Sequence, residues 1–131
     1  MKKLTIIGFT IALLIAAFLL SRQHLKSSHD ESVRKLLVGA WTLDSARSFA
    51  AQPDGTCVWI YTNPAGRAVT NEGTFQVSDG YIYDTVTKSA GTNMPRPLTT
   101  HSWIVRADAN EIVVDGDPGG NIQHVFRRET R

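Results

Sequence analysis

Beyond the N-terminal region, the side chains best suited to metal ligation or nucleophilic chemistry are His101, His124 and a single cysteine, Cys57. The histidines are far apart, and neither has a second ligand at the short spacing from which zinc sites are built. Cys57 has no partner motif, so it reads as a small buried apolar residue that forms no internal disulfide. The chain contains no nucleophile elbow, no His-Glu helical motif, no phosphate-cradling glycine loop and no paired catalytic carboxylates. Gly116, Gly119 and Gly120 surround Asp117 and Pro118, which is turn chemistry. Asp54, Asp79, Asp108 and Asp117 also fall in turns, where a carboxylate stabilises the local bend. The expectation is a protein that is not an enzyme, with no catalytic residue, metal or cofactor.

The remaining chemistry is aromatic. Trp59, Tyr61, Tyr81, Tyr83, His101 and Trp103 all occupy odd-numbered positions. Within any one strand such residues share a face. Apolar rings with a phenol or imidazole tip suit a small-molecule pocket; the same rings also fill cores, because they bury so much area. Trp59, Tyr61, Tyr83, His101 and Trp103 are the expected ligand-binding set.

The elements that would position these residues are short strands. From Val38 onward the hydrophobic period is two, and turn signals recur every eight to twelve residues or so. The strands are expected at Val38–Asp44, Arg47–Ala51, Thr56–Thr62, Thr74–Val77, Tyr81–Thr87, Thr99–Ala107, Glu111–Asp115 and Ile122–Glu129. Asp79-Gly80 is a tight hairpin signal. Lys88–Leu98, with Gly91, Pro95 and Pro97, is expected as a long loop. Strands joined by short turns form an all-β, antiparallel up-and-down meander, and closing it into a barrel of about eight strands removes the exposed edges.

Three features resemble the lipocalin-like domains of the calycin group. The Gly39-Ala40-Trp41 triplet, preceded by a short helix, is similar to the Gly-x-Trp signature at the start of their first barrel strand. Phe49-Ala50-Ala51-Gln52-Pro53-Asp54-Gly55-Thr56 resembles a hairpin of bacterial members, and Arg127-Arg128 stands where an arginine packs over the signature tryptophan. The resemblance covers residues 36–131 and implies a small barrel with Gly39, Trp41 and Arg128 as a structural signature. Arg128 is preferred over Arg127 because it shares a face with Phe126 and His124. The strands are shorter than those of full-length lipocalins and the C-terminal helix is missing, so the resemblance fits a filled barrel as well as a hollow one.

The N-terminus has another character. Lys2 and Lys3 precede Leu4–Leu20, a run with no charge and only two hydroxyl side chains, Thr5 and Thr10. As a helix it would span roughly 25 Å. A transmembrane anchor and a removable signal peptide both fit, in residues 1–20. The segment ends Phe18-Leu19-Leu20-Ser21-Arg22, a poor cleavage site, which favours the anchor. The basic start places the N-terminus in the cytoplasm of a bacterial cell and the C-terminal domain in the periplasm or outside, with secretion after cleavage as the alternative. Residues 21–35 are expected to form a polar tether and then a short amphipathic helix over 29–37. The Ser28-His29-Asp30-Glu31 capping pattern would open that helix.

Charge divides along the same line. The whole chain is +2, yet residues 36–131 carry 8 basic against 10 acidic side chains, a net −2. The domain therefore has no electrostatic case for nucleic-acid binding, while the basic arm suits anionic headgroups. Two functions follow as expectations. One is a membrane-tethered barrel that binds a small apolar or amphipathic ligand. The other is a non-catalytic accessory or assembly subunit that meets an envelope protein partner through loop 88–98, where Met94 and Arg96 are of types enriched at interfaces.

Overall fold

The computed structural model describes residues 2–90, 97–116 and 122–130, with side chains from residue 11 onward. One helix, α1 (Lys2–Leu37), leads into eight strands. These are β1 (Gly39–Asp44), β2 (Arg47–Ala51), β3 (Thr56–Thr62), β4 (Ala68–Ser78), β5 (Tyr81–Ala90), β6 (Leu98–Ala107), β7 (Glu111–Asp115) and β8 (Gln123–Arg128). Each strand pairs antiparallel with the next, and β8 pairs with β1 through Trp41↔Arg128 and Thr42↔Arg127, so the sheet is a closed all-β barrel.

The N-terminal region departs from expectation. Residues 21–28 are helical rather than an irregular tether, and α1 is continuous through the capping pattern at Ser28–Glu31. Arg22, Gln23, Leu25 and Lys26 are good helix formers, and neither glycine nor proline interrupts them. The Ser28 carbonyl accepts a hydrogen bond from Ser32 Oγ at 2.9 Å, a back-bond made inside a helix rather than at its start. The expected span Leu4–Leu20 begins outside the described side chains. Among the described residues no helix is long and apolar enough to cross a membrane.

The C-terminal end of α1 seals one end of the barrel. Val33 and Leu37 join Trp41, Phe75, Ile112 and Phe126 in the core, so the packed unit starts ahead of residue 36. Polar latches fix the helix to two hairpins. Asp30 accepts from the backbone N–H groups of Asp79 (2.8 Å) and Gly80 (3.2 Å). Lys26 pairs with Asp79 at 3.3 Å, and Arg34 donates to the Pro53 carbonyl at 2.8 Å.

The Asp79-Gly80 hairpin forms as the sequence predicts, with both residues left-handed (φ 52° and 80°), the geometry a two-residue turn demands. β4 is longer than expected, beginning at Ala68 rather than Thr74. Asn71, Glu72 and Gly73 are poor strand formers, yet they pair with β3 in unbroken register from Thr56↔Thr74 to Thr62↔Ala68. Gly73 sits at a bulge against β5, where a Cβ would come within 2.0 Å of the Thr85 carbonyl oxygen. The expected loop 88–98 is correspondingly shorter: Lys88–Ala90 belong to β5 and Leu98 to β6. Residues 91–96, including Met94 and Arg96, lie outside the described residues, as does Asp117.

Candidate functional site

The sealed end is built on the signature residues. Trp41 is fully buried and donates its indole N–H to the Leu37 carbonyl at 2.8 Å. Arg128 lies over the Trp41 ring at 4.2 Å from its centroid. Its guanidinium donates to the carbonyls of Leu36 (2.8 Å), Val38 (3.1 Å) and Ala109 (2.5 Å). The last carbonyls of a helix have no partner within it, and Arg128 supplies one. Gly39 lets this happen: its φ of +133° suits glycine, and a Cβ there would stand 2.4 Å from Arg128 Nη1. Arg127, one residue earlier, points outward toward Glu111.

Above this floor the barrel is hollow. A cavity of about 370 Å³ reaches from Leu37 and Trp41 to Arg47, Tyr61 and Leu98 at the opposite ends of the strands. Its walls are mostly apolar, from Phe49, Trp59, Ile82, Val86, Ile112, Val114 and Phe126. Trp59 is clamped between Phe49 (4.3 Å between centroids) and Phe126 (5.7 Å), which fixes the aromatic wall.

The expected ligand set divides here. Trp59 and Tyr61 line the cavity. Tyr83, His101 and Trp103 do not; they stand on the outer wall, where Tyr83 and Trp103 are 36% and 43% exposed. There they form a cross-strand ladder with Tyr81, through Tyr81↔Trp103 (4.8 Å) and Tyr83↔His101 (5.9 Å). The cause is a swap of parity at the Asp79-Gly80 turn. Val77 pairs with Ile82 and Phe75 with Asp84, so inward positions are odd on β1–β3 and even on β5 and β6. His124 lines the cavity while His101 is outside, so the two histidines do not converge. No group of three or more metal-ligating side chains exists among the described residues.

What the sequence reading missed is the polar content of the cavity: Asp84, Asn71, Thr100 and Ser102. Asp84 is the buried acid, 9% exposed, and its Oδ1 has no hydrogen-bond partner. Burial pushes its carboxyl up to about 7. The turn acids behave in the opposite way. Asp54 accepts from the Thr56 hydroxyl and N–H, Asp108 from the N–H groups of Asn110 and Glu111, and Asp44 from Arg47 and Ala46. These bonds favour the ionised form and hold all three below the ordinary carboxylate range. Cys57, 3% exposed, has its thiol pushed up to about 12 by burial and by nearby Asp84. One signal for Asp84 was present: it sits between Ile82 and Val86 on what must be an apolar strand face.

Eight antiparallel strands in sequence order, closed by the first and last, form a barrel that resembles solved structures in its fold. The fold is lipocalin-like. A lipocalin-like protein from Bacteroides uniformis ATCC 8492 superposes with a TM-score of 0.53 at 13% identity, over 72% of this chain and 99% of its own. An uncharacterized protein from Bacteroides eggerthii DSM 20697 gives 0.51 at 14% identity, over 71% of this chain and 99% of its own. At that identity the likeness is one of fold. No protein-family model and no curated protein matches the sequence. The lipocalin-like barrel is thus recognised through its backbone.

Proposed function

We propose that this protein is a lipocalin-like binding module for a small apolar or amphipathic molecule, tethered to a bacterial membrane by its N-terminal helix with the barrel on the extracytoplasmic side. The observation that carries the binding reading is the 370 Å³ cavity, walled by aromatic and aliphatic side chains with a few polar groups. Ligand sites have this composition and start near this size. The absence of any visible catalytic motif supports binding rather than turnover.

The tether rests on different support. Ile11, Leu13, Leu14, Ile15, Phe18, Leu19 and Leu20 are each more than half exposed on α1. An apolar surface of that extent is a poor fit to water and a good one to lipid. Lys2 and Lys3 before it and Arg22 and Lys26 after it are placed to meet headgroups.

Calorimetric titration of the full chain in nanodiscs with the neutral ligand 4-phenylbutanol, against empty nanodiscs, tests the binding reading. Saturable heat is expected, and it should vanish in Ser102→Trp, which fills the cavity, if that variant retains its fold by circular dichroism. Equal heats from both proteins, or none from the wild type, would overturn it. For the tether, alkaline carbonate should leave the full-length protein in the membrane pellet. Recovery of a soluble form lacking residues 1–20 would show that the segment is a cleaved signal.

A further inference from the structure

Resting on the binding reading, we infer that the ligand is a cation, an apolar primary amine or similar ammonium compound whose charged end is held by Asp84 at the cavity wall.

The argument begins with charge inside the barrel. Among the described residues that line the cavity, Asp84 is the single carboxylic acid and Arg47 the single guanidinium or ammonium group. Arg47 is already engaged: its Nε and Nη2 donate to Asp44 Oδ2 at 2.8 and 2.7 Å. An anionic ligand would therefore have to break that pair and also face Asp84. Asp84 Oδ1 is buried and has no donor, although buried acceptors are normally satisfied. The flanking strands offer it no charged partner, since β4 brings Asn71 and Phe75 toward this region and β6 brings Thr100 and Ser102. Tyr61 and His124 are the other titratable groups of the lining, with Cys57 close to Asp84.

A buried carboxylate oxygen without a donor is costly. A ligand ammonium would supply both the missing donor and the missing counter-charge, and an ion pair formed away from water is strengthened by the low local dielectric. The carboxyl, held up to about 7 by burial, would be drawn into its ionised form by the bound cation. Aromatic walls at Trp59, Phe49 and Phe126 would cover the apolar body. Size is limited as well. A volume of about 370 Å³ lies toward the small end for ligand sites, which suits a compound of about one ring.

Three isosteric probes separate the possibilities: 4-phenylbutylamine, 4-phenylbutanol and 4-phenylbutyrate, each titrated calorimetrically into the full chain in nanodiscs at pH 8, with empty nanodiscs as the blank. At that pH the amine is protonated and Asp84 is ionised. The amine is expected to bind at least tenfold more tightly than the alcohol, and the acid more weakly than either. Asp84→Asn should remove the preference for the amine over the alcohol. Equal affinity for amine and alcohol in the wild type, or an amine preference that survives Asp84→Asn, would overturn the cation while leaving cavity binding intact. Preference for the acid would overturn it too. Failure of all three probes would instead sink the binding reading beneath it, and the inference with it.

Discussion

Arg128, the last residue of the last strand, lies 4.2 Å over the indole of Trp41 in the first strand and donates hydrogen bonds to the carbonyls of Leu36 and Val38. One side chain thus joins the first and last strands of the barrel and receives the end of the helix. The stacking is a cation–π contact, and the guanidinium also donates to a third carbonyl, that of Ala109. Its geometry depends on a planar fork, which a lysine cannot reproduce.

Arg128→Ala should therefore lower unfolding stability by about 3 kcal/mol, combining the cation–π term with lost hydrogen bonds. Arg128→Lys should recover less than half of that. Urea unfolding followed by tryptophan fluorescence measures both. A loss below about 1 kcal/mol for the alanine variant would show that the contact is incidental.

Asp84 makes stability depend on pH. Its carboxyl titrates near 7 when folded, against an ordinary value of 3.8. Between those values the folded protein keeps a proton that the unfolded chain releases, so unfolding becomes more favourable as pH rises. The barrel should be most stable, in this respect, below pH 4. It should lose on the order of 4 kcal/mol by pH 8, three units of displacement being worth about that much. Asp84→Asn should flatten this slope. Tm measured from pH 4 to 8 on both proteins is the check, and parallel curves would contradict the assignment.

Cys57 should be nearly inert in the native state. With the thiol pushed up to about 12 and only 3% exposed, its thiolate fraction at pH 8 is about a thousandfold below that of an ordinary cysteine. Ellman's reagent should react with the folded protein at least a hundredfold more slowly than with the protein in 6 M guanidinium, the denaturant strength being about that of full unfolding. Comparable rates would place Cys57 nearer the surface.

The latch between α1 and the β4–β5 turn depends on Asp30, which accepts from Asp79 N–H at 2.8 Å and Gly80 N–H at 3.2 Å. Asp30→Ala should cost about 1–3 kcal/mol through the two donors left behind. Hydrogen exchange at the Asp79 and Gly80 amides should accelerate at least tenfold in that variant. Unchanged exchange at both would mean that water or the turn itself protects them.

The barrel was legible in the sequence because its determinants are local. Period-two patterning at Thr56–Thr62, the left-handed Asp79-Gly80 pair and the turn signals between strands each act over a few residues. The Gly39, Trp41 and Arg128 positions stood out through the resemblance to lipocalin-like domains. The length of β4 could not, because Asn71, Glu72 and Gly73 are extended only through their pairing with β3. The continuity of α1 through Ser28 was also hidden. The capping pattern there is a local preference that loses once helix stretches on both sides propagate through it.

The cavity is where sequence and tertiary structure part. Alternation along a strand determined that Tyr81 and Tyr83 share one face, and Ile82, Asp84 and Val86 the other. It could not determine which face is inside, because that depends on the partner strand. The two-residue turn at Asp79-Gly80 pairs Val77 with Ile82, so the inward side passes from odd positions on β3 to even positions on β5. A single register choice thus moved Tyr83, His101 and Trp103 to the outer wall and carried Asp84 into the interior. The residue types were fixed by the chain, and closure of the barrel decided that the carboxylate, rather than the rings opposite it, would face the cavity.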